Sequence, residues 1–153
     1  MKNEELQGLI GSWSPDLMFS EEGSQYLNVT VPKEELHAIL FKLKHDEQTS
    51  FDYLFCLTGV DWGEELGVVY HLESTVFRHS LVVKTQTAER ENPALDSVCD
   101  IWATAEFHER EVFDFFGIEF TNHPNLKRLF LTDDWDGFPL RKDYEDNINM
   151  IIK

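Results

Sequence analysis

Hydrophobic and polar positions divide the chain into short, well-spaced runs. Residues 4–11 carry Leu6, Leu9 and Ile10 on one side of a short helix. Tyr26 to Val31 alternates as a half-buried strand does. Pro32 then suits the first turn of a helix, where its missing N–H costs nothing. Leu36, Ile39, Leu40 and Leu43 follow at helical spacing, predicting a helix that ends near His45. Three strand-like runs come next: Phe51 to Trp62, Leu66 to Val76 and His79 to Thr87. Their connections, Gly63-Glu64-Glu65 and Phe77-Arg78, are short, which favours antiparallel neighbours.

Asn92-Pro93 breaks the pattern. Ser97, with Asp100 three positions on, reads as the N-cap of a long helix running to Phe116, and Gly117 is placed to end it. On that helix Ile101, Ala105, His108, Val112, Phe115 and Phe116 share a face. Glu106, Arg110 and Asp114 form a ladder of alternating sign on the opposite face, expected to meet water. Phe107 and Glu111 lie beside that stripe, so Phe107 is an aromatic on a side that should be wet: an ordinary exposed residue or part of a partner surface. These elements predict an α+β fold of two layers, helices packed on one face of a mixed or antiparallel sheet.

Beyond Gly117 the periodicity stops. Residues 118–146 hold one short apolar patch, Leu129-Phe130-Leu131, among turn residues, and their aromatics argue against disorder. Residues 1–120 are expected to form the body and 121–153 an extended irregular arm, within a single domain overall.

Composition changes the picture in one respect. The chain of 153 residues has a formal charge of −16. That excludes a simple nucleic-acid binder, which needs a basic footprint, and argues against docking on anionic lipid. Residues 121–144 of the arm differ from the acidic body: Lys127, Arg128, Arg141 and Lys142 balance Asp133, Asp134, Asp136 and Asp143. A neutral, aromatic arm on an acidic body is expected to lie on another protein.

Candidate chemistry is sparse. Cys56 and Cys99 form no C-x-x-C, so a cluster or structural zinc held by this chain alone is not expected. Reduced thiols suit a cytosolic compartment, and the acidic start MKNEELQGLI is not expected to be a signal peptide. No apolar run is long enough to span a membrane, and neither Gly-rich nucleotide motif occurs. His108-Glu109-Arg110-Glu111 is followed by Val112 where a zinc-protease helix needs its second histidine. His123 could join His108 only through the fold. Thr132 to Gly137 superficially resembles a calcium loop, but Thr132 and Asp143 stand where Asp and Glu are expected. Cys99 could gain reactivity from a helix N-terminus, which Asp96 and Asp100 oppose, and no G-x-S-x-G elbow is present.

Two motifs carry more information. Glu109-Arg110-Glu111-x-x-Asp114-x-x-Gly117-Ile118-x-Phe120-x-x-His123-Pro124-x-Leu126-x-Arg128 resembles the signature of the 30 kDa (C) subunit family of NADH:quinone oxidoreductase, respiratory complex I. So does Asp134-Trp135-x-Gly137-x-Pro139-Leu140-Arg141-Lys142-Asp143-Tyr144. The likeness extends upstream through Val60-Asp61-Trp62 and Val68-Val69-Tyr70-His71-Leu72. It departs where Phe107 replaces a common Trp and Glu145 a common Pro.

The resemblance implies a non-catalytic structural subunit of the peripheral arm, on the cytoplasmic side of the bacterial inner membrane. Its partners would be the quinone-site (D) subunit and the cluster-bearing (B) subunit, with no nucleic acid and no transmembrane segment of its own. It implies no catalytic, metal or cofactor residue in this chain; NADH, FMN, iron–sulfur clusters and quinone belong to the assembled translocase. The residues it suggests for the partner interface are Phe107, Glu109, Arg110, Glu111, Asp114, His123, Arg128, Trp135, Phe138, Arg141, Lys142, Asp143 and Tyr144. Some relatives are fused to the neighbouring quinone-site subunit, and the chain ending at Lys153 is expected to be the unfused form. Related membrane-bound hydrogenases, ferredoxin- or deazaflavin-fed oxidoreductases, and a freestanding acidic binding module are the competing readings.

Overall fold

A computed structural model describes residues 3–20, 26–128, 131 and 137–141. In chain order the elements are α1 (Asn3–Gly11), β1 (Met18–Ser20), β2 (Leu27–Thr30), α2 (Leu36–His45), β3 (Tyr53–Asp61), β4 (Leu66–Ser74), β5 (His79–Thr87), β6 (Ala94–Asp96), α3 (Ala105–Phe116) and β7 (Glu119–Thr121).

The alternating runs pair as their spacing predicts. β3, β4 and β5 form an antiparallel meander, β2 joins β5 in parallel, and β1 closes the edge, giving the order β1-β2-β5-β4-β3. The sheet is therefore mixed. Its pleat decides the layers. Leu66, Val68, Tyr70 and Leu72 of β4 and Leu81 and Val83 of β5 are buried and join one core with Leu6 and Ile10 of α1, Leu36, Ile39, Leu40 and Leu43 of α2, and Ala105 and Val112 of α3. Val69, His71 and Glu73, pointing the other way, are only half-buried. The fold is thus two-layered α+β, as expected. β6 and β7 pair in parallel as a separate two-stranded ribbon.

α3 sits close over β3, and Gly59 permits it. A Cβ on Gly59 would lie 2.6 Å from the Phe116 ring and 3.0 Å from Val112.

Two sequence expectations need correction. Pro32 stands a turn before α2, in a turn where the Glu35 N–H bonds to the Pro32 carbonyl at 2.9 Å. More consequential, the long helix begins at Ala105, not near Ser97. The Ser97 hydroxyl accepts the Cys99 N–H at 3.2 Å and donates to the Glu109 carboxylate at 2.6 Å. Such a two-residue side-chain turn competes with helix initiation. The following residues are pinned to β3 and the segment before it: Trp102 Nε1 donates to the Phe51 carbonyl at 3.0 Å and Thr104 Oγ1 to Leu54 at 3.2 Å. Residues 98–104 therefore cross the sheet edge as turns before helix begins.

Candidate functional site

α3 carries more polar residues than a helix with one wet face needs, because it is covered on several sides. Ala105 and Val112 face the core. Glu109 faces the 97–99 crossing, Arg110 and Asp114 face the returning C-terminal segment, and Phe107 and Glu111 remain exposed. The sequence expectation of a solvated Glu106-Arg110-Asp114 ladder is overturned: Asp114 is 0% and Arg110 8% exposed, and Glu106 is half-buried. Helical periodicity cannot register a segment that comes back over the polar face.

Glu109 is a fully buried carboxylate. Its Oε1 accepts the Ser97 hydroxyl at 2.6 Å and the Cys99 thiol at 3.1 Å, and its Oε2 accepts the Val98 N–H at 2.9 Å. Burial raises its pKa above the usual carboxylate value, and these three bonds oppose the rise. Burial, with Glu109 alongside, pushes the Cys99 thiol up to about 12, so Cys99 is not an activated nucleophile. It lies before α3, not on its first turn.

Cys99, Glu109 and His123 bring potential metal-ligand atoms within 4.8 Å of one another. Their chemistry as arranged is hydrogen bonding. His123 Nδ1 accepts the Asn125 N–H at 2.9 Å, which leaves Nε2 protonated to donate to the Glu106 carbonyl at 3.0 Å. That tautomer has no lone pair at Nε2 to give a metal.

The returning segment is clamped on the end of α3. Arg110 donates from Nε to the Lys127 carbonyl at 3.2 Å and from Nη2 to the Arg128 carbonyl at 3.1 Å. Arg128 reaches back: Nη1 donates to the Asp114 carbonyl at 2.6 Å and to its Oδ1 at 3.2 Å, and Nη2 to the Gly137 carbonyl at 3.1 Å. Asp114 Oδ2 also accepts the Leu131 N–H at 3.0 Å. Phe138 lies between two guanidinium groups, 4.8 Å from Arg128 and 5.0 Å from Arg141. Arg141 Nε donates to the Phe116 carbonyl at 2.5 Å, and the Leu140 N–H to Phe115 at 3.0 Å.

α3 has no basic residue in its own last turn. Arg128 and Arg141 supply the cations that its exposed carbonyls and dipole favour. Gly117, at φ 75°, makes room: a Cβ there would lie 2.5 Å from the Phe138 ring.

The residues suggested for a partner interface therefore divide. Glu109, Arg110 and Asp114 are buried inside the chain, and His123, Arg128, Phe138 and Arg141 are engaged with it. Phe107, 59% exposed, and Glu111 face outward, joined on the returning segment by Leu140 at 55%. Trp135, Lys142, Asp143 and Tyr144 lie outside the described residues, as does most of the calcium-like Thr132–Gly137 run. Sequence reasoning missed the Ser97–Glu109 contact. The available signal was a helix with acids and bases on too many faces for one solvated stripe.

Comparison with known proteins places these motifs. The family described as respiratory-chain NADH dehydrogenase, 30 Kd subunit, matches residues 29–148. The C/D subunit of the NADH-quinone oxidoreductase of Phocaeicola vulgatus is 55% identical over 122 residues, covering 79% of this chain and 23% of that protein. The C subunit of the Chloroherpeton thalassium enzyme is 48% identical over 110 residues, covering 71% and 45%. That of Roseiflexus castenholzii is 43% identical over 133 residues, covering 84% and 76%. The chain thus spans less than half the length of the first two relatives. Among solved structures, a chain of the membrane-bound sulfane sulfur reductase, an archaeal respiratory membrane complex, superposes with TM-score 0.80 at 27% identity, over 96% of this chain and 88% of that one.

Proposed function

The chain belongs to the 30 kDa subunit family of respiratory-chain NADH dehydrogenases, and on that premise we propose that it is a structural subunit of the peripheral arm of a NADH:quinone oxidoreductase. It performs no chemistry of its own. NADH, FMN, iron–sulfur clusters and quinone are held by its partners, which on this reading are the quinone-site subunit and the cluster-bearing subunit.

One observation carries the reading: among the described residues, the acids and bases of the two motifs other than Glu111 are engaged within the chain. Glu109 holds the 97–99 crossing, and Arg110, Asp114, Arg128 and Arg141 hold the returning segment. A catalytic carboxylate or arginine must keep a face open to substrate, and these do not. Phe107, Glu111 and Leu140 are among the residues left outward, an aromatic and an apolar side chain with a charged neighbour, as in a docking surface. The body is residues 1–120, and the arm 121–153 extends this surface onto the quinone-site subunit. Among the described residues no helix is long and apolar enough to cross a membrane, which fits a peripheral position on the cytoplasmic face.

A second reading keeps the role and changes the complex. The likeness to the sulfane sulfur reductase chain favours a related membrane-bound respiratory complex that need not use NADH. One experiment separates the two. The tagged chain is purified from detergent-solubilised membranes and the captured complex assayed with NADH and a quinone. Quinone reduction by NADH supports the first reading; a captured complex inert to NADH supports the second. Capture of no other subunit refutes both.

A further inference from the structure

The helices leave one side of the sheet uncovered. Among the described residues, α1, α2 and α3 all pack into the core on the inner face. Directly opposed residues of adjacent strands share a face, so the register maps the other side. In β4 that side is marked by Val69, His71 and Glu73. The pairing of Glu73 with Tyr53 carries it to β3, and that of Val69 with Lys84 carries it to β5. Lys84 aligns with Thr30 of β2, and Thr30 with Met18 of β1. Across all five strands this outer face holds one acid, Glu73, and one base, Lys84, in a chain of which 27% is charged.

A sheet face turned to water ordinarily carries polar side chains. This one carries large apolar ones: Met18 is 71%, Tyr53 45% and Phe55 40% exposed. The Phe55 ring lies 6.0 Å from Tyr53 and 5.7 Å from His71. Toward the other end of β4, Gly67 takes its place on the same face by alternation, and a Cβ there would lie 2.2 Å from the Trp62 ring. Trp62 therefore lies over the outer face, and it is 40% exposed. Trp62, Val69 and His71 belong to the upstream motifs, which the clamp on α3 does not use.

A contiguous apolar patch of this kind marks an interaction site, where single scattered side chains would not. Its size fits one. Three nine-residue strands and the shorter β2 and β1 make a face of about 500 Å² in projection, from the usual rise and strand spacing. Side-chain relief brings it toward the roughly 800 Å² that each partner gives to a standard interface. Its charge pattern states what fits. A strongly acidic or basic partner would be desolvated here with almost nothing to pair with, whereas an apolar one matches.

We propose that the outer sheet face docks a neighbouring subunit of the complex, through an uncharged, apolar surface of that subunit. The proposal rests on the reading of this chain as a complex subunit. The contact lies across the sheet from α3, so it is separate from the surface around Phe107.

The test uses photo-crosslinking in membranes. A photoreactive phenylalanine analogue replaces Tyr53 of the tagged chain, or Phe107 in a parallel sample, and crosslinked peptides are identified by mass spectrometry after capture. Position 53 should crosslink to another subunit, within a segment poor in charged residues. Phe55→Asp puts a charge into the same contact and should cut the captured complex at least tenfold, while lowering the melting temperature of the purified chain by no more than about 4 °C. Should that variant fail to fold, the crosslinks from position 53 decide alone. Crosslinks from position 107 with none from 53 overturn the proposal and leave the subunit reading standing. Crosslinks from 53 to a second copy of this chain, or to a strongly basic or acidic segment, overturn it as well. Capture of no other subunit by the unsubstituted chain refutes the subunit reading itself.

Discussion

Replacing Asp114 by alanine separates a clamp from a solvated ladder. The carboxylate is 0% exposed and accepts from the Arg128 guanidinium and the Leu131 N–H. Its removal takes that counter-charge from an arginine whose side chain is only 11% exposed, and the acceptor from Leu131. Breaking a buried ion pair in this way costs about 3–5 kcal/mol. Arg128 keeps the Asp114 and Gly137 carbonyls and the Phe138 ring, which argues for the lower end or slightly below, about 2–3 kcal/mol. At about 2–4 °C per kcal/mol the melting temperature should fall by roughly 5–10 °C. Urea unfolding followed by tryptophan fluorescence gives the free energy. A double-mutant cycle with Arg128→Met should return a coupling above about 1 kcal/mol, since the two side chains touch. A cost below about 0.5 kcal/mol, typical of an exposed ladder charge, would refute the clamp.

Three further outcomes follow from the same geometry. Gly117→Ala forces a methyl group into the Phe138 ring at a left-handed backbone position and should destabilise by about 2–3 kcal/mol, measured by the same urea titration. Glu109 has a folded pKa above its unfolded value near 4.5, so its ionisation opposes folding. Wild type should therefore gain stability relative to Glu109→Gln as pH falls from the folded pKa toward 4.5, and a urea midpoint difference moving the other way would contradict the burial argument. With its thiol near 12 in the fold against a reference of 9.0, Cys99 should alkylate at pH 8 about a thousandfold more slowly in native than in unfolded protein, read by mass spectrometry of iodoacetamide adducts.

Much of the fold was legible where the pattern was long and local. Leu36, Ile39, Leu40 and Leu43 mark α2, and the alternation from Leu66 through Thr87 marks the β4–β5 hairpin, because both periodicities persist for two or more repeats. β1, β6 and β7 are three residues each, too short for any period to appear. The error at Ser97 has a different origin. A serine three positions before an acid looks the same whether it caps a helix or makes a local turn, and the choice was made by Glu109 from another element. The site followed the same rule. Phe107 was legible as an aromatic on a wet face, and it is exposed. Arg110 and Asp114 were assigned to solvent because their partners, Arg128 and the backbone around it, return only after the helix has ended.

The claim that this chain is a docking subunit is tested most directly at Phe107, the exposed aromatic of the outward stripe. Membranes from cells whose only copy carries Phe107→Asp are run on a native gel stained for NADH oxidation, with the purified variant unfolded in urea alongside. A carboxylate in place of that exposed ring should leave the unfolding free energy within about 0.5 kcal/mol of wild type, as for most surface substitutions. On the docking account the variant is lost from the large complex, and the stained band at the assembled position fades with it. Incorporation at the wild-type level, with the stained band unchanged, would contradict it.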